Sequence, residues 1–355
     1  MNSIMDLELY ELENAVSPKF RAKQIFDWIY KKYAFSFDEM KNLPNEMKSE
    51  LEKSYTISPL KIIKKEASQD GSIKYLFGLH DLHTIETVLL KMKEKKIDEN
   101  DKIIAGEKYT ICISTQVGCK VGCAFCLTAK GGFIRNLEPS EIVAQVVNIK
   151  KDLELAENKS LNIVFMGMGE PLDNYDNFIK SVKILSDENG LMISRKRQTI
   201  STSGLATKIT KLANENLGVN LAISLHAVDD ELRSELIPMN KAYNIKSIIE
   251  AVRAFPSDAR KKILFEYLVI KNKNDDIESA KKLVKLLNGI RAKVNLIYFN
   301  PYPGTTYERP SKESLIKFQE FLLSKGLLCT IRESKGLDIS AACGQLREKD
   351  LNGNS

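Results

Sequence analysis

Three cysteines, Cys119, Cys123 and Cys126, stand close together in "GCKVGCAFC", spaced C-x3-C-x2-C. The chain has 355 residues and only six cysteines. Thiolates at this spacing are metal ligands. Structural zinc takes four protein ligands, and no fourth Cys or His follows within about thirty residues. A redox C-x-x-C accounts for Cys123 and Cys126 but leaves Cys119 idle. Three thiolates suit a 4Fe–4S cluster that keeps its fourth iron open, and an open iron can take a substrate.

Other polar motifs follow apolar runs. "MGMGEP" (residues 166–171) carries Gly169, whose missing side chain lets backbone approach a ligand, and Glu170, which can accept from an ammonium group. "STSG" (201–204) and "SLHA" (224–227) place hydroxyls at Ser201 and Ser224, and His226 beside Leu225. "YFNPYPG" places Asn300 before two prolines. Any one of these reads equally well as loop capping. At successive strand ends they read together as one ligand pocket. Of the remaining cysteines, Cys343 lies in a loop of small residues, Cys112 lies on the run that leads into the cysteine loop, and Cys329 reads as plain packing.

The elements that must carry these residues are legible as a pattern. From Tyr109 onward, apolar runs such as "YTICIST", "LNIVFMG" and "VNLAISLH" mostly alternate with amphipathic stretches such as "PSEIVAQVVNIKKDLEL" and "IKSIIEAVRAF". About six such β-then-α units predict a parallel sheet with helices outside it, a full or partial β/α barrel. Barrel sites lie at the C-terminal ends of the strands. The first part of the chain differs. "SPKFRAKQIFDWIYKKY" predicts a helix with Ser17 at its N-cap and Pro18 at its first position, and one or two short helices follow, punctuated at Pro44. "SIKYLFGL" and "HTIETVLLKM" read as strands, and "KEKKIDENDK" (93–102) as a charged link. The division this suggests is 1–70, a helical accessory unit; 71–104, a strand extension; 105–345, the barrel and the Cys343 loop; and 346–355, a tail.

A charged content of 28% and a hydrophobic content of 43% are those of a globular protein, and no run reaches the length of a membrane span. The start is acidic and lacks a signal-peptide pattern. The expected compartment is the cytoplasm, where a stable disulfide framework is a poor explanation for the cysteines. The net charge of +6 is compatible with a nucleic-acid partner.

C-x3-C-x2-C with Phe125 before its last cysteine resembles the radical S-adenosylmethionine (SAM) superfamily. Together with "FMGMGEPLDN", "TISTSG", "AISLHA" and "IRESKGLDISAACGQL", it resembles the dual-specificity adenine-C2 RNA methyltransferases, over nearly the whole chain. The resemblance implies a partial (β/α)6 TIM-like barrel with a small N-terminal helical domain, acting on 23S rRNA and tRNA. It implies a 4Fe–4S cluster on Cys119, Cys123 and Cys126, and SAM held by Gly169, Glu170, Ser201, Ser224, Leu225, His226 and Asn300. Adenine C2 has no lone pair to attack SAM directly, which gives a physical reason for radical chemistry. The implied route has one SAM methylate Cys343 and a second yield a deoxyadenosyl radical that takes hydrogen from the S-methyl group. The carbon radical adds to C2, the adduct loses the C2 proton, and Cys112 attacks the Cys343 sulfur, leaving a transient disulfide. Glu86 matches the family's proton acceptor, although from the sequence it reads equally as an exposed strand residue. A flavodoxin-type electron donor and a monomer are expected. The alternatives are C8 methylation of the same adenosine, or a non-enzymatic iron–sulfur RNA-binding protein. Phosphates are expected at "SRKRQ" (194–198) and at the N-terminal helices.

Overall fold

The computed structural model describes residues 2–57, 60–93, 96–97, 103–105, 107–155, 161–256 and 262–346. Most of the charged link at 93–102, and all of the tail beyond Leu346, lie outside the described residues.

Ten strands share one sheet: β1 (Lys61–Ala67), β2 (Ile73–Gly78), β3 (Thr84–Lys93), β4 (Lys108–Cys112), β5 (Leu161–Phe165), β6 (Gln198–Thr202), β7 (Asn220–Ser224), β8 (Ile263–Val269), β9 (Ala292–Tyr298) and β10 (Leu328–Arg332). Their spatial order is their chain order. Strands β4 to β10 are parallel neighbours, and β1 to β3 extend the sheet from β4 as an antiparallel meander. Among the described residues β1 and β10 do not pair, so the barrel is open. The parallel strands are nearly continuous apolar runs because helices cover them outside and side chains fill them inside. In β8, for example, six of seven residues are buried.

The helices are α1 (Leu9–Ala15), α2 (Phe20–Tyr30), α3 (Asn45–Ser54), the single turn α4 (Leu127–Lys130), α5 (Pro139–Asp152), α6 (Tyr175–Ser186), α7 (Ala206–Glu215), α8 (Asp230–Leu236), α9 (Ile245–Arg253), α10 (Ile277–Leu286) and α11 (Lys312–Ser324). None among the described residues is long and apolar enough to cross a membrane. Helix α5 is buried along most of its length, polar residues included. It lies under the N-terminal segment, where Asp6 Oδ1 accepts from Ser140 N (2.8 Å) and Lys151 Nζ donates to Tyr33 O (2.9 Å). Gln145 of α5 uses its whole amide inward. Its Oε1 accepts from Ser114 N and Thr87 Oγ1, and its Nε2 donates to Ser114 O and Glu141 O. This fixes the chain just before the cysteine loop.

Several expectations are corrected. Helix α2 starts at Phe20, not at Pro18, and Ser17 does not cap it. Its first turn is closed by backbone instead, Arg21 N and Ala22 N donating to the carbonyls of Pro18 and Lys19. Strand β1 lies within the stretch read as helical and already pairs with β2, hidden by its lysines, which sit on an exposed edge strand. The short helices α7 and α8 were not foreseen. Residues 194–197 of "SRKRQ" form an exposed turn that enters β6 at its N-terminal end, where Gln198 is buried, on the rim opposite the strand ends that carry the motifs.

Candidate active site

All seven parallel strands deliver their C-terminal ends to one rim, and the cysteine loop folds across it. The loop's base is a hairpin in which Gln116–Gly118 pairs with Phe133–Asn136. Gly118 (φ +73°) packs against the partner strand so closely that a Cβ would meet Gly132 O at 2.0 Å, so only glycine fits. Farther round, Ala124 N donates to Leu236 O (3.0 Å) and Tyr302 Oη donates to Ala124 O (3.2 Å). The loop therefore spans from β4 to α8 and to the segment after β9.

Cys119, Cys123 and Cys126 line one cavity with Gly169, Glu170, Ser201, Ser224, His226 and Cys343. The seven strands thus gather most of the expected residues. Asn300 lines a smaller adjoining cavity, which shares Phe125, His226, Ile297, Cys343 and Gly344 with the first. Leu225 lines neither; it is fully buried in the core and contributes its backbone only, donating to Glu266 O and accepting from Arg233. Glu86 is buried, not exposed, and lines neither cavity. Its Oε1 lies 3.2 Å from Lys74 Nζ, a partner on the neighbouring strand. Its backbone still touches the rim, Glu86 O accepting from Ser114 Oγ (2.6 Å).

The three loop thiols are pushed upward in pKa, Cys119 to about 12, first by burial; the Cys126 charge adds to this at Cys119 and Cys123, and the Cys343 charge at Cys126. Among the described residues no three such donors already stand grouped around a single metal ion, so the fit is one of donor chemistry: three thiols lining one cavity suit an iron–sulfur cluster.

Glu170 is buried beneath them. Its Oε1 accepts from Leu172 N (3.1 Å) and its Oε2 from Ser203 N (2.7 Å), which links the ends of β5 and β6. Gly169 (φ +101°) permits this, because a Cβ would sit 2.6 Å from the Gln116 side chain. His226 adopts a left-handed backbone (φ +61°). Its Nδ1 accepts from Leu268 N (3.0 Å), so the ring is neutral and carries its proton on Nε2. Its ring meets Phe125 edge-on at 5.0 Å.

Burial, and secondarily the charge of Arg233, lower the His226 pKa to about 3. The unfolded chain takes up this proton near pH 6.5 while the folded one refuses it. Stability from this residue is therefore complete above pH 6.5 and is lost as pH falls toward 3. Between pH 7 and pH 5 it should fall by about 2 kcal/mol. Denaturant titrations of the wild type and His226→Asn at both pH values check this; the variant should lack that increment.

Three residues escaped the sequence reading. Arg233 of α8 is fully buried; its guanidinium donates to Leu225 O (3.1 Å), Ser224 O (3.2 Å), Asn240 Oδ1 (2.8 Å) and Ser203 O. Arg332 closes β10 at the cavity wall, and the charges of Cys343, Glu266 and Cys112 all raise its pKa. Glu266 lies inside the barrel on β8. An Arg in a helix of alternating character and single charges inside apolar strands were the only signals.

Cys343 is brought to the loop by backbone: Leu127 N donates to Gly344 O (2.8 Å), and Thr128 Oγ1 donates to Leu346 O. Cys343 is exposed and Cys112 is buried at the end of β4. They are close enough that the Cys343 charge raises the Cys112 pKa, which burial, the larger cause, and this charge together bring to about 12.

A three-cysteine loop on the C-terminal rim of an open β/α barrel defines a radical SAM enzyme. Residues 113–284 match the radical SAM superfamily, and residues 5–57 match the ribosomal RNA large subunit methyltransferase N-terminal domain. The chain is 69% identical to the dual-specificity RNA methyltransferase RlmN of Aliarcobacter butzleri, over 99% of this chain and 98% of that one. It is 66% identical to the protein of that name from Sulfurimonas denitrificans, over 98% of each. The crystal structure of a radical SAM methyltransferase from Sphaerobacter thermophilus matches with a TM-score of 0.89 at 41% identity, over 98% of this chain and 99% of that one. The chain belongs to the dual-specificity RNA methyltransferase RlmN family: it is a radical SAM RNA methyltransferase, and that family uses a 4Fe–4S cluster and SAM.

Proposed function

We propose that this enzyme methylates C2 of an adenosine in 23S rRNA and in tRNA, through a methylated Cys343. The observation that carries this reading is that Cys343 shares a cavity with the three loop cysteines and lies close enough to Cys112 for its charge to raise that thiol's pKa. In this reading Cys119, Cys123 and Cys126 hold the cluster. Gly169, Glu170, Ser201, Ser224 and His226 hold SAM, with Asn300 at the adjoining cavity and Leu225 fixing the strand end behind them through its bonds to Glu266 O and Arg233. The cluster and SAM, when bound, supply a 5′-deoxyadenosyl radical.

The Cys343 thiolate first takes a methyl group from a SAM sulfonium. It then loses a hydrogen atom from that methyl group and adds the resulting methylene to adenine C2. The adduct loses its C2 proton toward Glu86, which lines neither cavity and so receives it through a relay from one strand behind the wall, and returns the one electron used to cleave SAM. Cys112 attacks the Cys343 sulfur, the S–CH2 bond breaks with its electron pair left on carbon, and a proton completes the methyl group. Exposure of Cys343 lets a base reach it, while burial of Cys112 keeps that thiol from competing for methyl groups or solvent oxidants. The adenine must be unstacked to enter. The residues 1–70 unit is the proposed RNA-binding appendage; a cytoplasmic monomer served by a flavodoxin-type reductant completes the proposal.

Anaerobic reaction of the reconstituted enzyme with methyl-labelled SAM and either RNA, followed by nucleoside mass spectrometry, tests it. Labelled 2-methyladenosine is expected. 8-Methyladenosine as the sole product would overturn the C2 assignment.

A further inference from the structure

Glu266 stands at the middle of β8, on the inner wall of the barrel, while its neighbour Tyr267 packs outward against Phe318 of α11. It belongs to a polar row that crosses four strands. Ser224 of β7 is in register with Glu266, Glu266 with Asn295 of β9, and Asn295 with Thr330 of β10. The row is tied from its exposed end inward. Thr330 Oγ1 donates to Asn295 Oδ1 (2.7 Å), which leaves the Asn295 amide to donate to Glu266 Oε1 (3.0 Å). This sequence orients the amide and locks the carboxyl.

The other oxygen, Oε2, is buried and has no hydrogen-bond partner. Glu266 is only 4% exposed, and it forms no salt bridge with Arg332 among the described residues. A buried carboxyl oxygen without a partner is costly and rare. The residue lines the cavity that also holds Ser224, Cys343 and the three loop cysteines.

Resting on the site reading above, we infer that Glu266 Oε2 accepts a hydrogen bond from an adenosine unit bound in this cavity. Two donors share that chemistry, a ribose hydroxyl of SAM and the exocyclic amine of the target adenine. Glu266 is then a positioning residue that sets how deep the adenosine sits.

Glu266→Gln keeps the shape and inverts the polarity. Asn295 demands an acceptor, so the new amide oxygen turns to it and the NH2 turns to the ligand. The cognate ligand should bind roughly 10- to 100-fold more weakly, because its donor then meets an NH2 group and is left unpaired. Iron content and melting temperature should match the wild type. The source is read by pairing this variant with altered ligands on the reconstituted enzyme. S-adenosylhomocysteine lacking the 2′- or 3′-hydroxyl tests the cofactor arm. RNA with purine in place of the target adenine, lacking the amine, tests the substrate arm. Under the inference one of these ligands loses affinity for the wild type but not further for Glu266→Gln; which one identifies the donor. If both penalties are the same in the variant as in the wild type, the inference is overturned. Should the Gln variant fold poorly, Glu266→Met supports the same comparison. A wild-type protein that holds iron but binds no S-adenosylhomocysteine would overturn the site reading itself, and this inference with it.

Discussion

Cys343→Ala enzyme should load iron and bind SAM as the wild type does, yet methylate RNA at least about 10⁴-fold more slowly, as expected when a covalent nucleophile is removed. The reason is positional. Cys343 makes no contribution to the core; it is exposed, and the hydrogen bonds that dock its loop, from Leu127 N to Gly344 O and from the Thr128 hydroxyl to Leu346 O, do not involve its side chain. Removing the thiol should therefore leave fold and cavity intact. Cys112→Ala should act later and leave a different trace. The methylene bridge to the base would form but would not be resolved, so protein and RNA should migrate together under denaturing, reducing conditions. Mass spectrometry should find the crosslink on Cys343. Unchanged methylation by Cys343→Ala, or turnover without any adduct in Cys112→Ala, would defeat the proposed route. A non-enzymatic RNA-binding role would have left both residues dispensable.

Arg233→Ala should produce the largest structural effect of any single change at the rim. The substitution leaves three acceptors, Ser203 O, Ser224 O and Asn240 Oδ1, without this donor, while Leu225 O keeps a bond from Ala227 N. Each buried acceptor left without a donor costs about 1–3 kcal/mol before relaxation. Water entering the vacated space recovers part of this, so a net loss of about 3–5 kcal/mol is expected. For a chain of this size that lowers the melting temperature by roughly 5 °C. Lys in place of Arg retains the charge but has one nitrogen where Arg has a planar fork, and should restore less than half. Because the same fork joins the ends of β6 and β7, SAM affinity should fall in parallel. Calorimetry with and without S-adenosylhomocysteine measures both effects. A normal melting temperature in Arg233→Ala would show that the clamp is redundant.

The parts of the site that could be read from sequence were those carried by local spacing. C-x3-C-x2-C, the Gly169–Glu170 turn and the strand-end motifs are each contiguous, and parallel strands deliver contiguous motifs to one rim by construction. The parts that could not be read depend on partners distant in sequence. Glu86 looked like a candidate exposed residue because nothing near it in sequence neutralises it; Lys74 does so from across the meander. Arg233 carried no signal of burial in its local sequence, and only the acceptors at Ser203 and Ser224 explain its burial. Glu266 was hidden inside "ILFEYLV", where an apolar run signals a strand but not which residue faces the interior. Strand β1 was missed for the opposite reason. Its lysines are those of an exposed edge strand, which blunts the edge against pairing with another chain.

The contrast between an exposed Cys343 and a buried Cys112 also governs how the enzyme would be reset. In the proposed cycle each methylated RNA leaves behind a Cys112–Cys343 bond that some dithiol must open. A reductant reaches the sulfur that is exposed, so it would attack Cys343 and expel Cys112. The expelled thiol is the one whose pKa burial raises, and thiol–disulfide exchange slows as the leaving group becomes more basic. Recovery, and not radical chemistry, would then limit repeated turnover whenever the dithiol supply is thin. The enzyme's output would follow the cell's reducing capacity.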